Sequence, residues 1–93
     1  MDDEPVELPI DGVLDLHTFN PKEIGELVPG YLDACRDKGI LEVRIIHGKG
    51  IGNLMRTVHS LLSKHPEVVR FGMASALHGG MGATIATLRP SRG

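Results

Sequence analysis

Three short stretches of this 93-residue chain carry side chains suited to phosphate chemistry: Leu14-Asp15-Leu16-His17, His47-Gly48-Lys49-Gly50 and Gly79-Gly80-Met81-Gly82-Ala83-Thr84. Hydrolysis of a phosphodiester needs an activated nucleophile and neutralised charge, so Asp15 is a candidate general base for water or a ligand for a divalent cation such as Mg²⁺ or Mn²⁺. His17 and His47 are candidate proton carriers, because an unperturbed imidazole titrates near neutrality. Lys49 supplies a full positive charge beside Gly48 and Gly50, ahead of a helix start whose free amides favour an anion. Gly79, Gly80 and Gly82 permit close approach of a sugar-phosphate backbone to main-chain amides, and Thr84 adds a hydroxyl donor. Each feature also has a plain structural reading. A strand-end carboxylate can cap the next turn, a strand-end His can bond a loop carbonyl, and tight turns need glycine whatever they bind. Gly-x-x-x-x-Gly-Lys-Ser/Thr does not occur, so a nucleoside triphosphate is not expected.

These residues lie where strands are expected to end. Val13–His17 reads as a first strand, with Leu14 and Leu16 on one side and Val13, Asp15 and His17 on the other. Asn20, Pro21 and Glu23 start a helix that runs to about Lys38, with Ile24, Leu27, Val28, Tyr31, Leu32 and Cys35 as its apolar stripe and Gly39 as its stop. Pro29 either kinks this helix or begins a second piece of it. Leu41–His47 is a second strand. Asn53–Lys64 is a second helix with Leu54, Val58, Leu61 and Leu62 inward, ended by His65-Pro66. The third strand spans about Val68–Ser75, with Val69, Phe71 and Met73 on one face, and the fourth spans Ala83–Arg89. Residues 1–12 form an acidic arm punctuated by proline, residues 13–90 the domain, and residues 91–93 a short tail.

The order β-α-β-α-β-β predicts an α+β sandwich: a four-stranded mixed sheet with two helices on one face. A βαβ crossover makes the first two strands parallel neighbours, and the third climbs the same way. The hairpin into the fourth strand then turns at the edge where the first two strands end. That edge collects Asp15, His17, His47, Lys49 and the Gly79–Gly82 loop, the usual ligand position in such sheets. Asp15, Glu42, Arg44 and Arg70 fall on the face the helices leave open. His59 and His65 read as helix-flank and helix-end residues, and His78 as a minor candidate near the glycine loop.

The totals narrow the function classes. Hydrophobic residues make up 41% of the chain and aromatics only 3%, so the core is Val, Ile, Leu and Met, without tryptophan for base stacking. A single cysteine excludes an internal disulfide framework, and no second ligand beside it suggests a zinc site. No apolar run reaches a membrane span, and the acidic start is unlike a secretory signal, so a cytoplasmic location is expected and a membrane partner is not. The net charge of −2 hides an asymmetry: residues 1–46 carry 11 acids and 4 bases, and residues 47–93 carry 6 bases and 1 acid. The second half can attract a polyanion locally.

In this order and spacing, Leu-Asp-Leu-His, His-Gly-Lys-Gly and Gly-Gly-x-Gly-Ala-Thr resemble the Smr (small MutS-related) domain family, over Leu14 to Leu88. The resemblance implies a fold similar to the C-terminal domain of bacterial translation initiation factor three, and among the settings in which the family occurs the chain resembles the independent bacterial kind. Several family members nick DNA or cleave RNA, so it also implies a nucleic-acid partner, DNA or RNA, and phosphodiesterase activity. In RNA the 2′-hydroxyl can replace water as nucleophile without a metal. A non-catalytic nucleic-acid-binding module and a protein-interaction adaptor, the latter with a separate protein partner, are the alternatives. One departure stands out: the family's first motif commonly continues with Gly after the His, whereas Thr18 follows His17 here. A β-branched residue does not readily take positive φ, so a different local turn is expected, with the hydroxyl capping the next helix or meeting a phosphate.

Overall fold

The computed structural model describes residues 9–48, 52–75 and 82–91. Their order is β1 (Val13–Asp15), α1 (Ile24–Asp37), β2 (Glu42–Ile46), α2 (Asn53–Lys64), β3 (Val68–Met73) and β4 (Ala83–Leu88), with single 3₁₀ turns over Leu16–Thr18 and Pro21–Glu23. The sheet runs β1-β2-β4-β3. β1 and β2 are parallel, while β4 is antiparallel to both β2 and β3, so β1, β2 and β3 all point one way. The chain entering β4 therefore sits at the C-terminal ends of the other three strands, as the topology argument requires.

Alternation assigns the two faces of the sheet. Leu14, Val43, Ile45, Ala86 and Leu88 point to the helices and join Val28, Leu32, Val58 and Leu62 in one core. The opposite face carries Glu42, Arg70 and Thr87 in one row and Val13, Arg44 and Ile85 in the next. The expectation for β3 needs correction. A bulge sets Val68 opposite Leu88 and Arg70 opposite Thr87. The extra residue, Val69, is 51% exposed. Val68 and Phe71 pack against the core on either side of it. A bulge resets the period of two, which simple alternation through Val69 cannot anticipate.

The helix ends follow local chemistry. Asn20 and Glu23 form a capping box, with Lys22 N–H donating to Asn20 Oδ1 and Asn20 N–H to Glu23 Oε1. Asn20 is thus the cap that its place ahead of Pro21 and Glu23 predicts, and of the two roles offered for the Thr18 hydroxyl, capping this helix is not the one taken. α1 closes with a Schellman pair, Ile40 N–H to Cys35 O and Gly39 N–H to Arg36 O, with Gly39 at φ +81°. Pro29 sits inside α1, which stays a single helix of 14 residues. Tyr31 ties α1 to the start of β1: its hydroxyl accepts from Gly12 N–H at 3.1 Å and donates to Val13 O at 3.0 Å. Burial pushes the Tyr31 hydroxyl pKa upward and so keeps it a donor.

Candidate active site

β1 is an edge strand of three residues, and its end is set by Asp15. Asp15 Oδ1 accepts the His17 backbone N–H at 2.9 Å, which caps the 3₁₀ turn over Leu16–Thr18. The same oxygen lies 2.7 Å from His17 Nδ1. His17 is thus not a strand residue, as alternation suggested; a two-residue spacing in an Asp-capped turn brings its ring back onto the carboxylate. Leu16 still turns inward and is 1% exposed. Thr18 needs no unusual backbone, because among the described residues no non-glycine has positive φ.

A carboxylate can only accept, so His17 Nδ1 carries the proton in this pair and Nε2 of the neutral ring presents a lone pair. Among the described residues Nε2 has no hydrogen-bond partner. Both side chains are accessible, with 60% of His17 and 54% of Asp15 exposed. The His17 backbone N–H lowers the Asp15 carboxyl pKa; slight burial opposes this, and the His17 ring adds to the lowering. A carboxylate that fixes a histidine tautomer and leaves the far nitrogen open is equipped for proton transfer.

The second motif meets the first at Gly48. A Cβ on Gly48 would lie 3.1 Å from His17 Nε2, and Gly48 adopts φ +84°. Glycine therefore serves twice: it takes the left-handed turn and makes room for the imidazole. The third motif joins through Gly82, whose carbonyl accepts from His47 N–H at 3.0 Å and from Gly48 N–H at 2.9 Å. Asp15, His17, Gly48 and Gly82 are therefore gathered at one edge. Lys49, Gly50, Gly79, Gly80, Met81 and His78 lie outside the described residues.

His47 and Thr84 are placed differently from the sequence expectation. They point to the helix side of the sheet, where His47 is 5% and Thr84 0% exposed. His47 Nδ1 is 3.0 Å from Gly48 O, and its Nε2 is 2.8 Å from Thr84 Oγ1. His59 Nε2 approaches the same hydroxyl oxygen at 2.8 Å. The Thr84 hydroxyl is thus enclosed between two imidazoles, out of reach of a phosphate, and both nitrogens of His47 are engaged. Sequence reasoning left His59 on a helix flank. The signal for it was its place beside Val58 and one turn from Leu62, on the stripe α2 buries. Its ring also packs on Phe71, with centroids 5.0 Å apart.

Burial, with a smaller contribution from His47, lowers the pKa of His59. Folding is therefore opposed by protonation of His59. The unfolded chain takes up that proton first as pH falls through the ordinary imidazole range, so this contribution is complete above that range and declines as pH drops toward the depressed folded value. The midpoint of urea unfolding is expected to fall between about pH 7.5 and pH 5.5, and His59→Gln is expected to flatten the fall.

As to metals, among the described residues no group of three or more His, Cys, Asp or Glu side chains could hold an ion. Asp15 Oδ1 is taken up by two bonds from His17. Oδ2 accepts no hydrogen bond from the described residues, and it is the oxygen that would meet a cation held by one carboxylate together with substrate phosphate oxygens. Among the described residues no helix is long and apolar enough to cross a membrane.

The family profile of the Smr domain matches residues 14–89. Among curated proteins, the Endonuclease MutS2 of Clostridium tetani is 31% identical over 80 residues, 86% of this chain and 10% of that protein. The Endonuclease MutS2 of Halothermothrix orenii is 42% identical over 59 residues, 63% of this chain and 8% of that protein. The chain thus spans about a tenth of the length of these relatives. Among solved structures, the Smr domain of Thermus thermophilus MutS2 superposes with a TM-score of 0.79 at 31% identity, covering 86% of this chain and all of that one. YdaL, a stand-alone small MutS-related protein from Escherichia coli, gives 0.74 at 28% identity, over 84% of this chain and 64% of that one.

Proposed function

From the premise that this chain belongs to the Smr domain family, we propose that it binds nucleic acid and cleaves its phosphodiester bonds, with His17 as the proton-transfer group. The supporting observation is the 2.7 Å contact between Asp15 and His17 Nδ1, which leaves Nε2 open above Gly48. The relatives named Endonuclease MutS2 support the reaction class.

His17 Nε2 accepts the proton of the attacking hydroxyl, which is water on DNA or the 2′-hydroxyl on RNA. The new O–P bond forms as the bond to the leaving oxygen breaks, and that oxygen takes its proton from solvent. The Asp15 carboxylate stabilises the imidazolium formed and holds the ring in its tautomer, so its role moves from base to orienting group. Lys49, Gly48 and Gly50, with Gly79, Gly80 and Gly82, hold the phosphate. A Mg²⁺ or Mn²⁺ ion anchored on Asp15 Oδ2 would supply charge neutralisation at the phosphate. The reading includes action in the cytoplasm, with a further protein partner supplying specificity.

Labelled supercoiled DNA and structured RNA are the substrates to test, with Mg²⁺, with Mn²⁺ and with EDTA. Asp15→Asn is expected to lower cleavage by about 10²-fold while binding, read by fluorescence anisotropy, is retained. Salt-sensitive binding with no cleavage by the wild type would instead identify a binding module.

A further inference from the structure

The buried chain from His59 to Gly48 has a direction. The Gly48 carbonyl can only accept, so His47 Nδ1 carries the proton in that 3.0 Å bond. Nε2 of the neutral His47 ring is then an acceptor, and the Thr84 hydroxyl at 2.8 Å donates to it. The Thr84 oxygen accepts in turn from His59 Nε2–H at 2.8 Å. With both rings neutral, a single arrangement of protons satisfies all three bonds. Thr84 is fully buried and His47 nearly so, and an unmet donor or acceptor there would cost the full desolvation of that group.

The chain ends on the residue that the His17 ring lies beside. Gly48 has its carbonyl held by His47 and its N–H held by Gly82 O, so the backbone is held on both sides of its Cα. The His17 imidazole lies against it, where a Cβ would come within 3.1 Å of Nε2. We propose that Thr84 and His59 are positioning residues for His17, acting through His47 and the Gly48 backbone to set where Nε2 stands. This rests on the reading of His17 as the proton-transfer group. It links one face of α2 to an exposed site on the far side of the sheet edge.

Thr84→Val keeps the shape and removes the hydroxyl, and Thr84→Ser restores the hydroxyl. Cleavage is expected to fall about tenfold in Thr84→Val, with nucleic-acid affinity unchanged, and to recover in Thr84→Ser. Imidazole ¹H–¹⁵N NMR of the full chain needs no substrate and reads the link directly. In Thr84→Val the Gly48 carbonyl still keeps the proton on His47 Nδ1, so the His47 tautomer is expected to hold while its Nε2 resonance shifts on losing the hydroxyl donor and the His17 ring resonances shift with it, and Thr84→Ser is expected to return both. A folded Thr84→Val whose His17 resonances match wild type overturns the proposal. His59→Leu applies the same test from the other end should Thr84→Val fail to fold. If wild type cleaves neither substrate but the His17 signals respond, the positioning link stands and the assignment of His17 to catalysis fails.

Discussion

Replacing His17 with alanine is expected to lower phosphodiester cleavage by about 10²–10⁴-fold, the range over which a positioned acid or base contributes. Nucleic-acid binding and stability should change little. The side chain is 60% exposed and is not among the core residues, so its loss opens no cavity. What remains is Asp15, still capping the 3₁₀ turn from the backbone of residue 17. The variant therefore keeps the local fold and loses only the imidazole. Added imidazole is expected to restore part of the lost rate, because the vacated position opens to solvent. A folded variant that cleaves as well as wild type would remove His17 from the mechanism and return the reaction to Asp15 alone.

Much of this site was legible in the sequence because its positions follow from connectivity. The βαβ crossover and the β3–β4 connection place Asp15, His17, Gly48 and Gly82 at one edge whatever the details of packing. α2 begins and ends where Asn53 and His65-Pro66 indicate. The two faces of β2 follow from Val43 and Ile45 alternating with Glu42 and Arg44. Three features were not legible, each for a physical reason. The end of β1 depends on whether Asp15 bonds across the sheet or back to its own turn, and both use the same sequence. The bulge at Val69 depends on how β3 registers against β4. The burial of Thr84 between His47 and His59 depends on β4 lying between β2 and β3, and on which side of α2 faces it. A threonine beside a glycine loop reads as a phosphate donor until the strand order shows it pointing to the helices.

Gly48 is where fold and chemistry are coupled most tightly, and Gly48→Ala is expected to separate the two effects. At φ +84° any Cβ costs about 1–2 kcal/mol, because the left-handed region brings it toward the following carbonyl. Gly39 provides the control. It has φ +81°, and nothing lies within 4 Å of its Cβ position, so Gly39→Ala carries the same backbone cost without a new contact. Urea unfolding is expected to show similar destabilisation in both variants. Their cleavage rates should differ. The new methyl at residue 48 meets His17 Nε2 at 3.1 Å, and the ring must move away while Asp15 still holds its other nitrogen. A displacement of a few tenths of an ångström to an ångström at a proton-transfer atom is worth about 10–10²-fold in rate, so Gly48→Ala is expected to lose that much and Gly39→Ala to lose none. Equal rates in the two folded variants would mean that the position of Nε2 above Gly48 has no part in the reaction, and Gly48 would then be needed only for its turn.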